Sequence, residues 1–312
     1  MLLKRKFIAV IVIIMAMVGC NKDDDSIDIE PPRDRGEQQI VDKDSLLGYL
    51  NSHYYNSSLF ETDGDYSIDD VVISELPKDD DGNYLTLPDP DINTLLIDDV
   101  VIKTINFSDT EYEIYYLRLT NGDGESPKFS DDILVSYSGQ LLNDSNFDKS
   151  TTPVTFDLMG VVPGWRYIMV DFNTSSENAI INTDGTLSYS NYGLGVMFLP
   201  SGLGYFNTGS SGIPTYSPLI FKFELYKNQH NDHDGDGILS HLEDLNGNLN
   251  PLDDDTDEDD IPNFNDPDDD GDGVSTNLED LNDNGDWDDD DSNGNGIPNY
   301  LDKLDRLQRE DN

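Results

Sequence analysis

From Asp232 to Pro267, and again from Asp268 to Lys303, the chain repeats itself without a gap at a period of 36 residues, with 18 identical positions. What repeats is aspartate, asparagine and glycine, not the apolar residues that could build a core. Between Asn228 and Asp302 there are 26 acidic residues and no lysine or arginine. Such a segment cannot collapse unaided, because its carboxylates repel and it has little apolar surface to bury. Repetition at a fixed period nevertheless marks a built unit. Cations reconcile the two observations.

The spacing names the cation. In the first unit Asp232, Asp234, Asp236, the Ile238 carbonyl, Ser240 and Glu243 occupy positions 1, 3, 5, 7, 9 and 12, with Gly237 at position 6. The second unit places Asp268, Asp270, Asp272, Val274, Thr276 and Glu279 identically, with Gly273 at position 6. This is calcium-loop spacing: alternate oxygens of a tight loop converge on one point, and glycine permits the sharp turn. Two further loops follow the rule, Asp255, Asp257, Asp259, Asn263 and Asp266, then Asp291, Asn293, Asn295, Asn299 and Asp302. The former has Asp260 where glycine is preferred and the latter carries fewer charges, so weaker binding is expected of both. Pro251, Pro262 and Pro298 interrupt the long flanking helices that an EF-hand needs. The alternating offsets and the Ile-Pro-Asn of each second loop resemble thrombospondin type 3 calcium repeats. An unstructured, solubilising acidic tail is the alternative reading.

The rest of the chain must supply the core. Of 312 residues, 36% are hydrophobic, enough for one full core but not two. A net charge of −47 argues against nucleic acid or anionic lipid as a partner for a basic surface. At the start, Lys4-Arg5-Lys6 precedes a short apolar run from Phe7 to Gly19, which reads as a secretory signal over 1–19. Cys20 is the sole cysteine, so no intramolecular disulfide can form. Met17-Val18-Gly19-Cys20 resembles a bacterial lipobox, departing from it at Met17 and Val18; the resemblance implies lipidation at Cys20 and a cell-envelope, outer-membrane location. The acidic tether over 20–35 resembles export signals of surface-exposed lipoproteins. An ordinary signal peptide and a plain acidic linker are the alternatives.

Asp34 and Glu37 have capping-box spacing ahead of a helix expected from about Gly36 to Tyr54, with Ile40, Leu47, Leu50 and Tyr54 on one face. Strand-like runs follow, and no function is assigned to 36–110. Within 111–227, Ile133, Val135 and Tyr137 alternate with polar neighbours, as do Leu219, Phe221, Phe223 and Leu225, predicting half-buried antiparallel strands. Trp165, Ile168, Met169 and Phe172 predict a short helix after Pro163-Gly164. The fold class is α+β, followed over 228–303 by calcium loops with little regular structure and over 304–312 by a tail.

Six ordered blocks cross this region: Val135-Ser136-Tyr137-Ser138-Gly139, Asn146-Phe147-Asp148, Val161-Val162-Pro163-Gly164-Trp165, Leu203-Gly204-Tyr205, Ile213-Pro214, and Leu219 to Leu225. In order and spacing they resemble the FKBP-type peptidyl-prolyl isomerases, over a little more than a third of the chain. The resemblance implies a bent antiparallel sheet wrapped around a short helix. It implies a cage with Trp165 as floor, Tyr137, Phe147, Val161, Val162 and Phe221 as walls, and Ile213 offering backbone contacts. Tyr205 would donate its hydroxyl to a substrate carbonyl, and Asp148 would orient Tyr137. No cofactor is implied, and the partners would be proline-containing polypeptides.

Three departures stand out. Val154 replaces a usual aromatic and is expected to make one wall smaller. Thr208 to Gly212 replaces a histidine often found before Ile213. The 40 positions from Trp165 to Tyr205 leave an excess, placed in Asn173 to Tyr192, that could reshape substrate access. His53, His230, His233 and His241 have no cysteine partner and suggest no competing catalytic site. A non-catalytic proline-segment chaperone and a structural or adhesion calcium-binding lipoprotein are the other functional readings. Oligomeric state is not legible.

Overall fold

The computed structural model describes residues 31–309; the signal segment, Cys20 and most of the tether lie outside the described residues. Helix α1 (Arg35–Ser52) starts where the capping pattern places it, with Asp34 Oδ1 accepting the Glu37 N–H at 2.9 Å. A small sheet follows, ordered β2-β1-β3, from β1 (His53–Tyr55), β2 (Ile73–Glu75) and β3 (Thr94–Leu95), and then the one-turn helix α2 (Leu96–Asp99). The main sheet comprises β4 (Val101–Phe107), β5 (Thr110–Asn121), β6 (Asp132–Leu141), β7 (Asn146–Asp157), β10 (Gly193–Leu199) and β11 (Leu219–Gln229). Its order is β4-β5-β10-β11-β6-β7, and every pairing is antiparallel. Helix α3 (Gly164–Met169) and a separate hairpin of β8 (Ile180–Ile181) and β9 (Leu187–Ser188) lie between β7 and β10.

Strand alternation sorts side chains onto two faces. Tyr112, Ile114, Tyr116, Met197, Leu199, Leu219, Phe221, Phe223 and Leu225 join α3 in one core. The intervening Tyr115, Leu117, Val196, Phe198 and Ile220 form a second core with Leu46, Tyr49 and Leu50 of α1 and with Ile68, Val71 and Leu96. The strands are therefore not half-buried as expected. Their second face is covered by 36–100, and even its polar positions are enclosed: Glu224 accepts the Ile68 N–H, and Lys222 donates to the Val71 carbonyl at 2.6 Å. Residues 36–110 and 111–227, separate in the sequence reading, share a sheet and a core.

The face of α1 also differs from expectation. Ile40 is 65% exposed, whereas Gln38, Gln39, Asp42, Leu46, Tyr49 and Leu50 are buried, and Tyr54 lies beyond the helix in β1. Asp42 makes the difference, since its Oδ2 accepts both the N–H and the hydroxyl of Ser201, at 2.7 and 2.6 Å. Buried polar groups need such partners, and this one turns the helix so that a polar stripe faces inward.

Candidate active site and cation-binding loops

Register brings the aromatic blocks together. Gly139 of β6 stands opposite Phe221 of β11 on one side and Asp148 of β7 on the other. A Cβ on Gly139 would lie 2.5 Å from the Phe147 ring and 2.9 Å from Phe221, so glycine is what allows the two rings to close over the strand. Their centroids are 5.6 Å apart, edge to face. Trp165 is 2% exposed at the base of the cleft, with ring centroids 5.3 Å from Phe221, 5.4 Å from Phe156 and 6.1 Å from Tyr137.

The resulting cleft has a volume of about 610 Å³. All nine residues singled out in the sequence line it: Tyr137, Phe147, Asp148, Val161, Val162, Trp165, Tyr205, Ile213 and Phe221. Tyr137 donates its hydroxyl to Asp148 Oδ2 at 2.5 Å, while Asp148 Oδ1 accepts the Lys149 N–H. Burial, then the hydrogen bond to Asp148, holds the Tyr137 phenol well above its ordinary pKa, so it stays a neutral donor. The Tyr205 hydroxyl has no hydrogen-bond partner among the described residues and remains available to a ligand.

Two expectations about the walls need correction. Val154 does not line the cleft; Phe156, two residues on and therefore on the same face of β7, supplies an aromatic wall. Its place in the alternating Val154-Thr155-Phe156 run was the available signal. The segment Asn173 to Tyr192 is also absent from the lining. Asn173, Thr174 and Ser175 donate backbone N–H groups to the carbonyls of Asn121, Glu125 and Tyr226, which holds the insertion at the far ends of β5 and β11.

Beyond β11 the acidic segment forms four loops whose regular structure is confined to short 3-10 turns within and between them. Each opening aspartate, Asp232, Asp255, Asp268 or Asp291, accepts the N–H of the sixth residue at 3.0 Å or close to it. That sixth residue has positive φ in each case: 106° at Gly237, 74° at Asp260, 95° at Gly273 and 91° at Gly296. Position 9 serves a purpose other than ligation: Ser240, Asn263, Thr276 and Asn299 accept the N–H of position 2 and close the loop.

In the first loop Asp234, Asp236 and Glu243 offer oxygens within 4.8 Å of one another, and Asp269 of the second unit joins them. Asp234 Oδ2, Asp236 Oδ2 and both carboxylate oxygens of Glu243 and Asp269 are buried without a hydrogen-bond partner. Burial first, then neighbouring carboxylates, pushes Glu243 up to about 9 and Asp269 up to about 10. Asp268, Asp270 and Asp272 cluster alike in the third loop, where Glu279 is also pushed up to about 9. Unpaired buried carboxylates are strongly unfavourable, so this donor set fits a hard divalent cation bound through oxygen. Sequence spacing missed Asp269, which sits at position 2 of its own loop. Asp305, 36 residues further on, instead accepts the Ser292 hydroxyl.

The second and fourth loops differ from each other. Asp255, Asp257 and Asp259 converge, and Asp266 is raised by burial and by Asp259 and Asp257. In the fourth loop the Asn293 and Asn295 amides already donate to Asp302, at 2.8 and 2.7 Å, which lessens its need for a cation. The Ile238 and Val274 carbonyls occupy their expected loop positions, and the N–H groups of those residues bond Asp236 and Asp272.

Residues 124–226 match the family model of FKBP-type peptidyl-prolyl cis-trans isomerase, and residues 233–286 match one described as BamM C-terminal. The chain thus carries a domain of the FKBP type, followed by a segment similar to a second family. Among individual proteins it is similar to the FKBP-type peptidyl-prolyl cis-trans isomerase FkpA of Escherichia coli strain K12, 34% identical over 115 residues, 36% of this chain and 36% of that protein. It is 28% identical to the peptidyl-prolyl cis-trans isomerase Mip of Coxiella burnetii over 36% of this chain and 43% of that one. The crystal structure of Escherichia coli FkpA covers 41% of this chain and 51% of its own at 30% identity, with a TM-score of 0.32. The chain spans little more than a third of the length of the first of these relatives.

Proposed function

We propose that this protein is a prolyl isomerase acting on proline-containing segments of unfolded or partly folded exported proteins. Rotation about a prolyl bond crosses a barrier of about 18–20 kcal/mol set by amide resonance, and it needs no acid, base or nucleophile. A site that binds the twisted amide better than either planar isomer accelerates both directions. The observation that carries the reading is the aromatic cleft over Trp165, with the unpartnered Tyr205 hydroxyl at its rim, inside residues that match the isomerase family. The apolar floor would desolvate the amide as its resonance is lost, and Tyr205 would take the substrate carbonyl. The full chain should accelerate the slow, proline-limited phase in the refolding of a client protein. An unchanged slow phase at stoichiometric chain would refute the proposal.

The same reading places the protein in the cell envelope, held at the outer membrane by lipid on Cys20. The buried, unpartnered carboxylates around Glu243 and Glu279 support a C-terminal arm that binds calcium. When bound, calcium would supply positive charge to these loops; Asp234, Asp236, Glu243 and Asp269 would hold one ion, and Asp268, Asp270, Asp272 and Glu279 another. Circular dichroism should report ordering of the arm as calcium is added, and a flat titration into the millimolar range would count against it.

A further inference from the structure

A second kind of donor cluster lies where the acidic arm leaves the sheet. His230 directly follows β11, and its Nδ1 is 2.9 Å from both carboxylate oxygens of Asp131, a fully buried residue just before β6. A donor atom of His241, ten residues into the first loop, lies within 4.8 Å of one each from Asp131 and His230. The two imidazole rings are 5.3 Å apart, and His241 Nδ1 is buried with no hydrogen-bond partner. On the outer side, His230 Nε2 is 3.2 Å from Glu125 Oε1. The Lys128 N–H and the Asn228 amide also donate to Asp131 Oδ2, at 2.8 and 2.9 Å, and fix its carboxylate.

We propose that Asp131, His230 and His241 form a site for a transition-metal dication of the zinc type, distinct from the calcium loops. Two imidazoles and one carboxylate suit zinc rather than calcium, which prefers an all-oxygen shell. The two rings lie across a short gap, and a cation held between them would give the buried His241 Nδ1 the partner it lacks. Glu125 is the positioning residue: by accepting the Nε2 proton it leaves Nδ1 of His230 as the ligand atom, as carboxylates behind metal-bound histidines do. The site joins two parts of the chain. Asp131 and Glu125 belong to the isomerase domain, His230 and His241 to the arm, so the ion would pin the arm's first loop beside β6. Exchangeable water or a further side chain would complete the shell.

The test is calorimetric titration of the full chain with Zn²⁺ in saturating calcium, which masks the carboxylate loops. The proposal expects one Zn²⁺ that millimolar calcium does not displace, and a loss of affinity greater than ~10-fold in both His230→Gln and His241→Gln. It also expects Zn²⁺ to shift the imidazole nitrogen resonances of His230 and His241 in the unmodified protein, leaving those of His53 and His233 in place. That second readout is independent of how the variants fold. Zinc binding that calcium abolishes, equal affinity in well-folded variants, or unmoved resonances at His230 and His241 would overturn it.

Discussion

Gly139 shows how much of the cleft hangs on a missing side chain. Phe147 and Phe221 approach each other across it, so a methyl group there must push one ring away. Gly139→Ala should lower stability by about 1–3 kcal/mol, as overpacking generally does. It should reduce turnover more than it reduces the melting temperature would suggest, because the displaced ring is a wall. Thermal unfolding measured beside isomerase activity separates the two effects. The residues that line the cleft were legible because they are ordered aromatics of unusual type and spacing. Phe156 was not singled out, since Val154 occupied the position where an aromatic was sought, and only the strand's alternation reveals the substitute two residues on.

At the scale of elements, the strands and α3 follow from apolar periodicity, and the start of α1 from its cap. The inward face of α1 does not. Polar Gln38 and Asp42 face the core because Ser201 waits there as a partner, a contact 159 residues away that no local pattern encodes. The burial of Glu224 and half-burial of Lys222 were hidden for the same reason, as they depend on what covers the second face. Leu46→Ala should therefore destabilise the domain by about 2–5 kcal/mol in denaturant unfolding; a negligible change would mean that α1 is an appendage. In the arm, Asp260 adopts φ 74° where the other three loops place glycine. Left-handed backbone costs a residue with Cβ about 1–2 kcal/mol. Asp260→Gly should accordingly tighten calcium binding at the second loop by up to ~10-fold, read by titration calorimetry.

For the whole molecule, a domain built on the six-stranded sheet is followed by a chain of acidic loops. The joins between parts were the illegible portion. Asp269 reaches from the second repeat into the first loop, and Asp269→Asn should weaken calcium binding there although its own loop keeps Asp268, Asp270, Asp272 and Glu279; an effect confined to the third loop would contradict this. Arg166, beside Trp165 on α3, donates to Asn250 Oδ1 at 2.7 Å and ties the arm to the helix that floors the cleft. The central claim remains the chemistry of that cleft, and exchange spectroscopy on a proline-containing peptide tests it without a coupling enzyme. Substoichiometric chain should accelerate cis-trans exchange, and Tyr205→Phe should lower kcat/KM by about 10-fold, the equivalent of one hydrogen bond of about 1.4 kcal/mol. Exchange at the uncatalysed rate, or full activity in Tyr205→Phe, would contradict the account.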